Sequence, residues 1–352
     1  MKKKVNSFTA IPLKACVVAI AFITMIPSSL PAASSGSVPK ERETRLIEGA
    51  KKEGKLGFWC ATTARDMEPV FKKFNEKYPF LHVEYWRANS TDIRQKMISE
   101  ARAGVYNPDC ACTDMELLVD MKKADLMKKH DWPNTKTWNP NYKDPEGYWV
   151  ARHLVLVVIG YNTQLVPSAE APKDYKELLA PKWKGQVLIP KDYDWVGMMW
   201  AVWGKEKTVA YLRELSKNNP VIGGGHSSRT ELIAAGANKI DIRLSLNTLL
   251  EFQGKGAPLD WVRTDPIFGK GTPIFIAKHA PHPDAAILFA DWYTSLQGQQ
   301  AYGDANGYMM PHPEVKSAIT ESIRGRNIAM MPASMAAHGN EIAKLYAEIF
   351  YK

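Results

Sequence analysis

Residues 55–87, KLGFWCATTARDMEPVFKKFNEKYPFLHVEYWR, decide how this chain is read. Leu56–Cys60 is a short apolar run and predicts a buried strand. Ala61–Arg65 is small and polar. From Asp66 to Tyr78 the apolar residues Met67, Val70, Phe71, Phe74 and Tyr78 recur at helical spacing. Thr63 or Asp66 is placed to cap that helix, Pro69 is tolerated in its first turn, and Pro79 ends it. Leu81–Trp86 alternates as a second strand. Together they make a βαβ unit, and so a parallel sheet with a right-handed crossover. Ligands of such sheets lie beyond the carboxyl ends of the strands, where the loop Ala61–Asp66 falls. Thr62 and Thr63 serve there either as caps or as anion contacts, since free N–H groups at a helix start favour anions.

Outward from this unit the pattern repeats. Asn89-Ser90-Thr91 opens a helix through Ile93, Met97, Ile98 and Ala101, which Gly104 ends. Asn107–Cys112 predicts a short strand, and Thr113-Asp114 caps a helix at Met115–Met121. Three polar loops, at Thr62-Thr63, Ser90 and Thr113, are thus expected at one sheet edge. On the amino-terminal side, Glu41–Lys52 predicts a short helix closed by Gly54.

Further on, Trp132–Gly147 is rich in Pro, Asn, Asp and Lys and reads as a long loop. Tyr148–Asn162 is long for one strand and suits a segment passing between domains. Gln186–Pro190 predicts a strand leading to the loop 191–195, where Asp192, Tyr193 and Trp195 are candidate cleft residues, with Trp86 as a further aromatic wall. Val221–Glu231, VIGGGHSSRTE, is the sharpest local motif. Three glycines lead from a strand into Ser228-Arg229-Thr230-Glu231, a capping-box pattern. His226, Ser227, Ser228 and Arg229 are candidates for an oxyanion, although the motif is not a P-loop, because the Gly-Lys-Ser/Thr ending is absent. The alternative is a tight turn with a helix cap. Asp241–Leu250 reads as a strand running into a helix, with Arg243 and Asn247 as polar interruptions. Pro283–Leu296 predicts a helix closed by Gly298, and His279, His282 and His312 read as loop residues.

The 352 residues are enough for two domains. At the start, Lys2, Lys3 and Lys4 precede the apolar run Ala15–Ile26 and the small residues Pro31-Ala32-Ala33-Ser34. That is the pattern of a cleavable secretory signal over residues 1–33. Cys16 precedes the apolar run, so it reads as discarded with the signal. Residues 1–33 hold four lysines and no acids, so their removal takes the net charge from +9 to +5. This balance suits an anionic ligand, and no basic tract with interleaved aromatics points to nucleic acid. No second long apolar run follows. Cys60, Cys110 and Cys112 remain, an odd number, and read as small hydrophobes in a sheet. Cys110 and Cys112 share a strand face and do not bridge each other. No CxxC or HExxH pattern and no metal-ligand spacing of histidines is present, so no metal site or cofactor is expected.

Six segments, in order, are together similar to the extracellular solute-binding proteins of ABC transporters, in the ferric-iron-type branch. They are FNEKYPFLHVEYWR (74–87), ISEARAGVYNPDC (98–110), VLVVIGYNT (155–163), YKELLAPKWKGQVLIP (175–190), AKHAPHPDAAILFADWYTSLQGQQ (277–300) and ANGYMMPHPEV (305–315). The resemblance spans about residues 41–315. It implies a type II periplasmic-binding-protein fold: two α/β domains, each a mostly parallel sheet flanked by helices, joined by two crossover segments at Tyr148–Asn162 and Val262–Thr272. Residues 41–153 with 272–300 would form the first domain, and 154–271 with 301–352 the second, with the ligand in the cleft between them. Ferric-binding members carry an adjacent tyrosine pair shortly before a Lys-Gly-Ala-Pro-like segment. Here Lys255-Gly256-Ala257-Pro258 is preceded by Leu246-Asn247-Thr248-Leu249-Leu250, which supplies no phenolate. Several members of this branch lacking the pair bind small organic anions such as sugar phosphates.

The expectation is therefore a monomeric, non-enzymatic periplasmic receptor. It would hold a small anionic organic ligand and deliver it to an inner-membrane ABC permease. Its expected ligand residues are Thr62, Thr63, Ser90, Thr113, Asp192, Tyr193, Trp195, His226, Ser227, Ser228, Arg229 and Asn247. The alternative is a ferric-iron or metal-chelate receptor. A more remote one is a cysteine-dependent transferase on the same fold type, with Cys60 as nucleophile, although no His or Glu stands beside Cys60 in sequence.

Overall fold

A computed structural model describes residues 40–351. The expected signal at 1–33, with Cys16, lies outside them. Helix α1 (Lys40–Glu53) leads into β1 (Lys55–Cys60), α2 (Ala64–Lys77) and β2 (His82–Arg87), and β1 and β2 pair in parallel from Lys55↔His82 to Cys60↔Arg87. This is the βαβ unit expected from residues 55–87. Thr63 caps α2 by accepting from the Asp66 N–H, and α2 turns Met67, Val70 and Phe74 inward. Asn89 caps α3 (Ser90–Arg102) in the same way. β3 (Cys110–Cys112) lies on the other side of β1, again parallel. The helix expected at Met115–Met121 is instead a single 3₁₀ turn at Met115–Leu117 followed by α4 (Leu118–Lys123).

The long strand β4 (Val150–Asn162) is buried along its whole length. After it come β5 (Val187–Pro190), α5 (Asp194–Trp203), α6 (Lys205–Lys217), β6 (Val221–Gly223), α7 (His226–Ala234), β7 (Ile240–Ser245), α8 (Leu246–Gly254) and β8 (Leu259–Trp261). The chain then returns along β9 (Ile267–Ile276) to α9 (Pro283–Thr294) and α10 (Leu296–Asn306). It ends in α11 (Ala318–Ser322), β10 (Ile328–Met330) and α12 (Gly339–Phe350). The helix expected to run to Leu296 breaks at Ser295, which caps α10 by accepting from the Gly298 N–H. Gly298 is not a stop. A Cβ there would stand 2.3 Å from the Trp292 carbonyl oxygen, so only glycine lets α10 cross the end of α9.

The strands run in the order β2-β1-β3-β9-β4-β7-β5-β6, with β10 beside β9 and β8 beside β4. β2, β1 and β3 are parallel at one end, and β7, β5 and β6 are parallel at the other. β4 and β9 run antiparallel to each other in the middle, paired from Val150↔Ile274 to Val157↔Phe268. β9 also pairs with β3, and β4 also pairs with β7, so each of the two is shared by both halves. This is the two-lobed type II periplasmic-binding-protein fold. The apolar layers follow the halves. Phe58, Phe74, Phe289 and Trp292 fill one lobe, while Trp183, Trp195, Leu212 and Tyr346 fill the other. No described helix is long and apolar enough to cross a membrane.

Candidate functional site

Two helices of the second lobe open at one point. Gly225 precedes α7 and Ser245 precedes α8, and neither supplies a side-chain cap. This contrasts with α2, α3 and α10, whose first turns are capped by Thr63, Asn89 and Ser295. The first intrahelical bond of α7 is made by the Arg229 N–H to Gly225, which leaves the N–H groups of His226, Ser227 and Ser228 as the orphan donors of a helix start. They border a cavity of about 340 Å³ lined by Ser227, Ser228, Ser245, Thr248 and Tyr308 among others. Ser227, Thr248 and Tyr308 also line a larger cleft of about 850 Å³, whose opposite rim is Arg65 and Asp66 at the start of α2. Hydroxyls, amide donors and two positive helix ends therefore meet in one place.

Behind His226 runs a chain of charges. Arg243 Nη1 lies 2.8 Å from His226 Nε2, and its Nη2 donates to Asp194 Oδ2 at 2.6 Å. Lys270 Nζ reaches the same Asp194 oxygen at 3.1 Å and Glu116 Oε1 at 3.7 Å. Burial, then the Arg243 guanidinium, hold the His226 imidazole down at about 3, so it stays neutral. Asp194 is kept ionised: burial opposes it, but Arg243 and Lys270 outweigh that and hold its carboxyl below the usual range. Tyr308 on the cavity wall is backed by two buried rings, His153 at 4.1 Å and Tyr302 at 6.3 Å, all three nearly parallel. Among the described residues no group of three or more His, Cys, Asp or Glu side chains is placed to hold a metal ion.

The expected ligand residues divide. His226, Ser227 and Ser228 line the cavity, and Asn247 lines the adjoining cleft with its Oδ1 buried and unpartnered. Arg229 requires correction. It is 1% exposed, and it donates from Nε to Asp241 and from its two terminal nitrogens to the carbonyls of Gly224 and Arg243. The glycine run serves that arginine as much as any ligand, since a Cβ on Gly223 would come within 2.8 Å of the Arg229 side chain. Trp195 is likewise not a cleft wall. It is buried in the second lobe's core, edge-on to Tyr346. Trp86 packs on Trp59.

The first-lobe candidates are also displaced. Thr63 is the α2 cap, and the Thr62 hydroxyl accepts from Arg152 at 2.8 Å. The Thr113 hydroxyl donates to the Ser90 carbonyl, and both residues are buried and line neither cavity. Asp192 and Tyr193 are exposed and line neither cavity. The residues that do face Ser227 across the cleft, Arg65 and Asp66, lie within the same opening stretch but a few positions later. Tyr308 lies in the loop after α10, where nothing in its own neighbourhood marks it. Among the described residues, the groups that act on Cys60 are Cys112, Arg152 and Thr62.

Residues 111–327, more than half of the chain, match the model of the bacterial extracellular solute-binding proteins. The chain belongs to that family. Its members capture small-molecule solutes outside the cytoplasm and work with ABC transporter permeases. This solute-binding protein is 26% identical over 271 residues to an uncharacterized protein of Haemophilus influenzae, covering 71% of this chain and 76% of the other. It is 24% identical over 207 residues to the Fe(3+)-binding periplasmic protein of Serratia marcescens, covering 54% and 59%. Among solved structures it is similar to a Trichodesmium IdiA/FutA complex with iron and citrate ligands (TM-score 0.72, 17% identity, 85% and 100% covered). It is also similar to the periplasmic binding protein AfuA of Actinobacillus pleuropneumoniae with fructose-6-phosphate bound (TM-score 0.70, 19% identity, 85% and 99% covered). At these identities the structures establish the shared fold.

Proposed function

We propose that this solute-binding protein is the periplasmic receptor for ferric iron chelated by a small organic anion. It holds the chelate over the starts of α7 and α8 and delivers it to an inner-membrane permease. The observation that carries the reading is the pair of uncapped helix starts facing one hydroxyl-lined cavity. Orphan N–H groups there favour carboxylate or phosphate oxygens. The anion expected from the sequence thereby becomes the iron's chelator. Iron itself is supported by relatives: one is named for Fe(3+), and a structural neighbour holds iron with citrate. Residues 246–250 contain no tyrosine, so a chelating anion would supply the hard oxygen ligands that ferric iron prefers. Export through a cleaved signal at 1–33 belongs to the same proposal.

A second reading, an organic anion without metal, is favoured by the serines and threonine of the cavity and by the fructose-6-phosphate in AfuA. Calorimetric titration of the purified protein with ferric citrate, citrate and fructose 6-phosphate tests both. Tighter binding of ferric citrate than of citrate supports the chelate. Tight binding of fructose 6-phosphate, or citrate binding that is indifferent to iron, transfers the case to the second reading. Binding of none of them, with metal-free protein and no anion retained on native mass spectrometry, sinks both.

A further inference from the structure

Arg152, on β4, is 4% exposed and has no carboxylate partner among the described residues. Its terminal nitrogens donate to the Tyr302 hydroxyl at 2.7 Å and the Thr62 hydroxyl at 2.8 Å, and its Nε is buried without a partner. Cys60 and Cys112 lie beside it: both are buried, and both feel the Arg152 charge.

The sheet sets these two thiols side by side. β1 and β3 are parallel neighbours with Phe58 opposite Cys110 and Trp59 opposite Ala111. One further step along the ladder brings Cys60 opposite Cys112, on one face of the sheet. Neighbouring strands lie roughly 4.7–4.9 Å apart, inside the Cα separation of about 4.4–6.8 Å that a disulfide spans. Cys60 also donates toward the Thr62 hydroxyl at 3.6 Å. Burial pushes its thiol up, but the Cys112 thiol and the Arg152 guanidinium bring it down to about 5. Burial keeps Cys112 protonated. Cys110 points elsewhere, toward the Ala286 carbonyl.

We propose that Cys60 and Cys112 are a redox pair that closes to a disulfide, with Cys60 as the attacking sulfur and Cys110 as the unpaired thiol. The oxidant is a disulfide-bearing carrier, either a small-molecule disulfide or a protein in its disulfide form. Before the sheet closes over the two sulfurs, the Cys60 thiolate attacks one carrier sulfur, the carrier S–S bond breaks, and one carrier thiolate leaves. Cys112 then gives up its proton and attacks the Cys60 sulfur, expelling the second carrier thiolate. The two protein sulfurs lose two electrons, and the carrier is reduced to two thiols that take up the protons. Among the three cysteines beyond residue 33, the pairing leaves Cys110 as the single free thiol in a chain read as exported. It does not depend on which solute the cleft holds.

The test is to refold the reduced, unfolded protein in a buffer of oxidised and reduced glutathione, alkylate without reductant, and map the peptides by mass spectrometry. The expected result is a Cys60–Cys112 link, a loss of two hydrogens, and alkylation of Cys110. Protein recovered from the periplasm should give the same map. Cys110→Ser should keep the link, and Cys60→Ser or Cys112→Ser should abolish it. Three alkylated thiols at 60, 110 and 112, a link through Cys110, or glutathione left on Cys60 without transfer to Cys112 would each overturn the pairing. The wild-type map decides even where a variant does not fold.

Discussion

Arg229 donates from Nε to Asp241 Oδ2 at 2.7 Å, and neither side chain reaches solvent. The arginine therefore belongs to the frame of the second lobe, holding α7 to β7 and to the carbonyl of Gly224. Removing one partner of a buried ion pair leaves the other uncompensated, at a cost of about 3–5 kcal/mol. Arg229→Ala is expected to lower the unfolding free energy measured in urea by that order or to prevent folding. Arg229→Lys should rescue poorly, because an ammonium cannot reproduce the fork. Glu231→Ala, an exposed neighbour, is the control. An Arg229→Ala protein as stable as the parent would show that the pair contributes nothing.

Ser227 tests the cavity without touching that frame. Ser227→Ala and Ser228→Ala should each weaken ferric citrate by about 0.5–1.5 kcal/mol, the usual worth of one hydrogen bond, with the melting temperature unchanged. Ser227→Asp separates two effects. A carboxylate in the first turn of α7 favours the helix, yet it occupies the donors an anion would use. The expected outcome is equal or higher thermal stability together with loss of binding. Retained affinity in Ser227→Asp would remove the anion from the start of α7.

Much of this was legible in residues 55–87. The apolar spacing placed α2 to within two residues at its start, and the two flanking strands emerged at nearly their observed bounds. Ser227 and Ser228 stood out as candidates beside the glycines, but the capping box expected at Ser228–Glu231 does not form: α7 opens at His226 after Gly225, without a side-chain cap. Arg229 was not legible, since its partner Asp241 sits on the next strand and nothing in VIGGGHSSRTE reports it. Thr62 and Thr63 were misread because a helix cap and an anion contact have the same local pattern; only the Arg152 and Asp66 bonds separate them. Tyr308 and the charge chain through Arg243, Asp194 and Lys270 join segments far apart in sequence.

Iron, if carried as a chelate, leaves a spectroscopic trace by omission. Protein loaded with ferric citrate should contain iron by elemental analysis but lack the visible phenolate charge-transfer band, since no tyrosine pair stands at 246–250. A visible band abolished by Tyr308→Phe would show that Tyr308, on the cavity wall, had become a direct ligand.

Acid should loosen the fold before any carboxylate titrates fully. His226 is held at about 3 and His153 well below its ordinary value, both first by burial and then by a neighbouring arginine. Their unfolded forms take up protons near 6.5, so below that pH the unfolded chain binds more protons and stability falls. The contribution is fully present above about 6.5 and declines as pH falls toward the folded values, on the order of 1 kcal/mol per pH unit for each fully buried histidine. Urea midpoints at pH 7, 6 and 5 should decrease in turn, and His226→Gln should flatten the decline. A constant midpoint over that range would mean that the rings are already charged or open to water.

β4 and β9 are the two strands that belong to both lobes, and they are bonded to each other. A pair of separate tethers would let one lobe swivel, slide or roll over the other. A two-stranded ribbon does not. Sliding one strand past its neighbour breaks several ladder bonds at once, whereas flexing the ribbon across its face keeps them. Relative movement is therefore steered toward a single bending coordinate, in which the rim at Arg65 and Asp66 approaches or leaves the start of α7. In mechanical terms the ribbon is a leaf spring: soft in one direction and stiff in the others, it makes every solute enter and leave by the same edge.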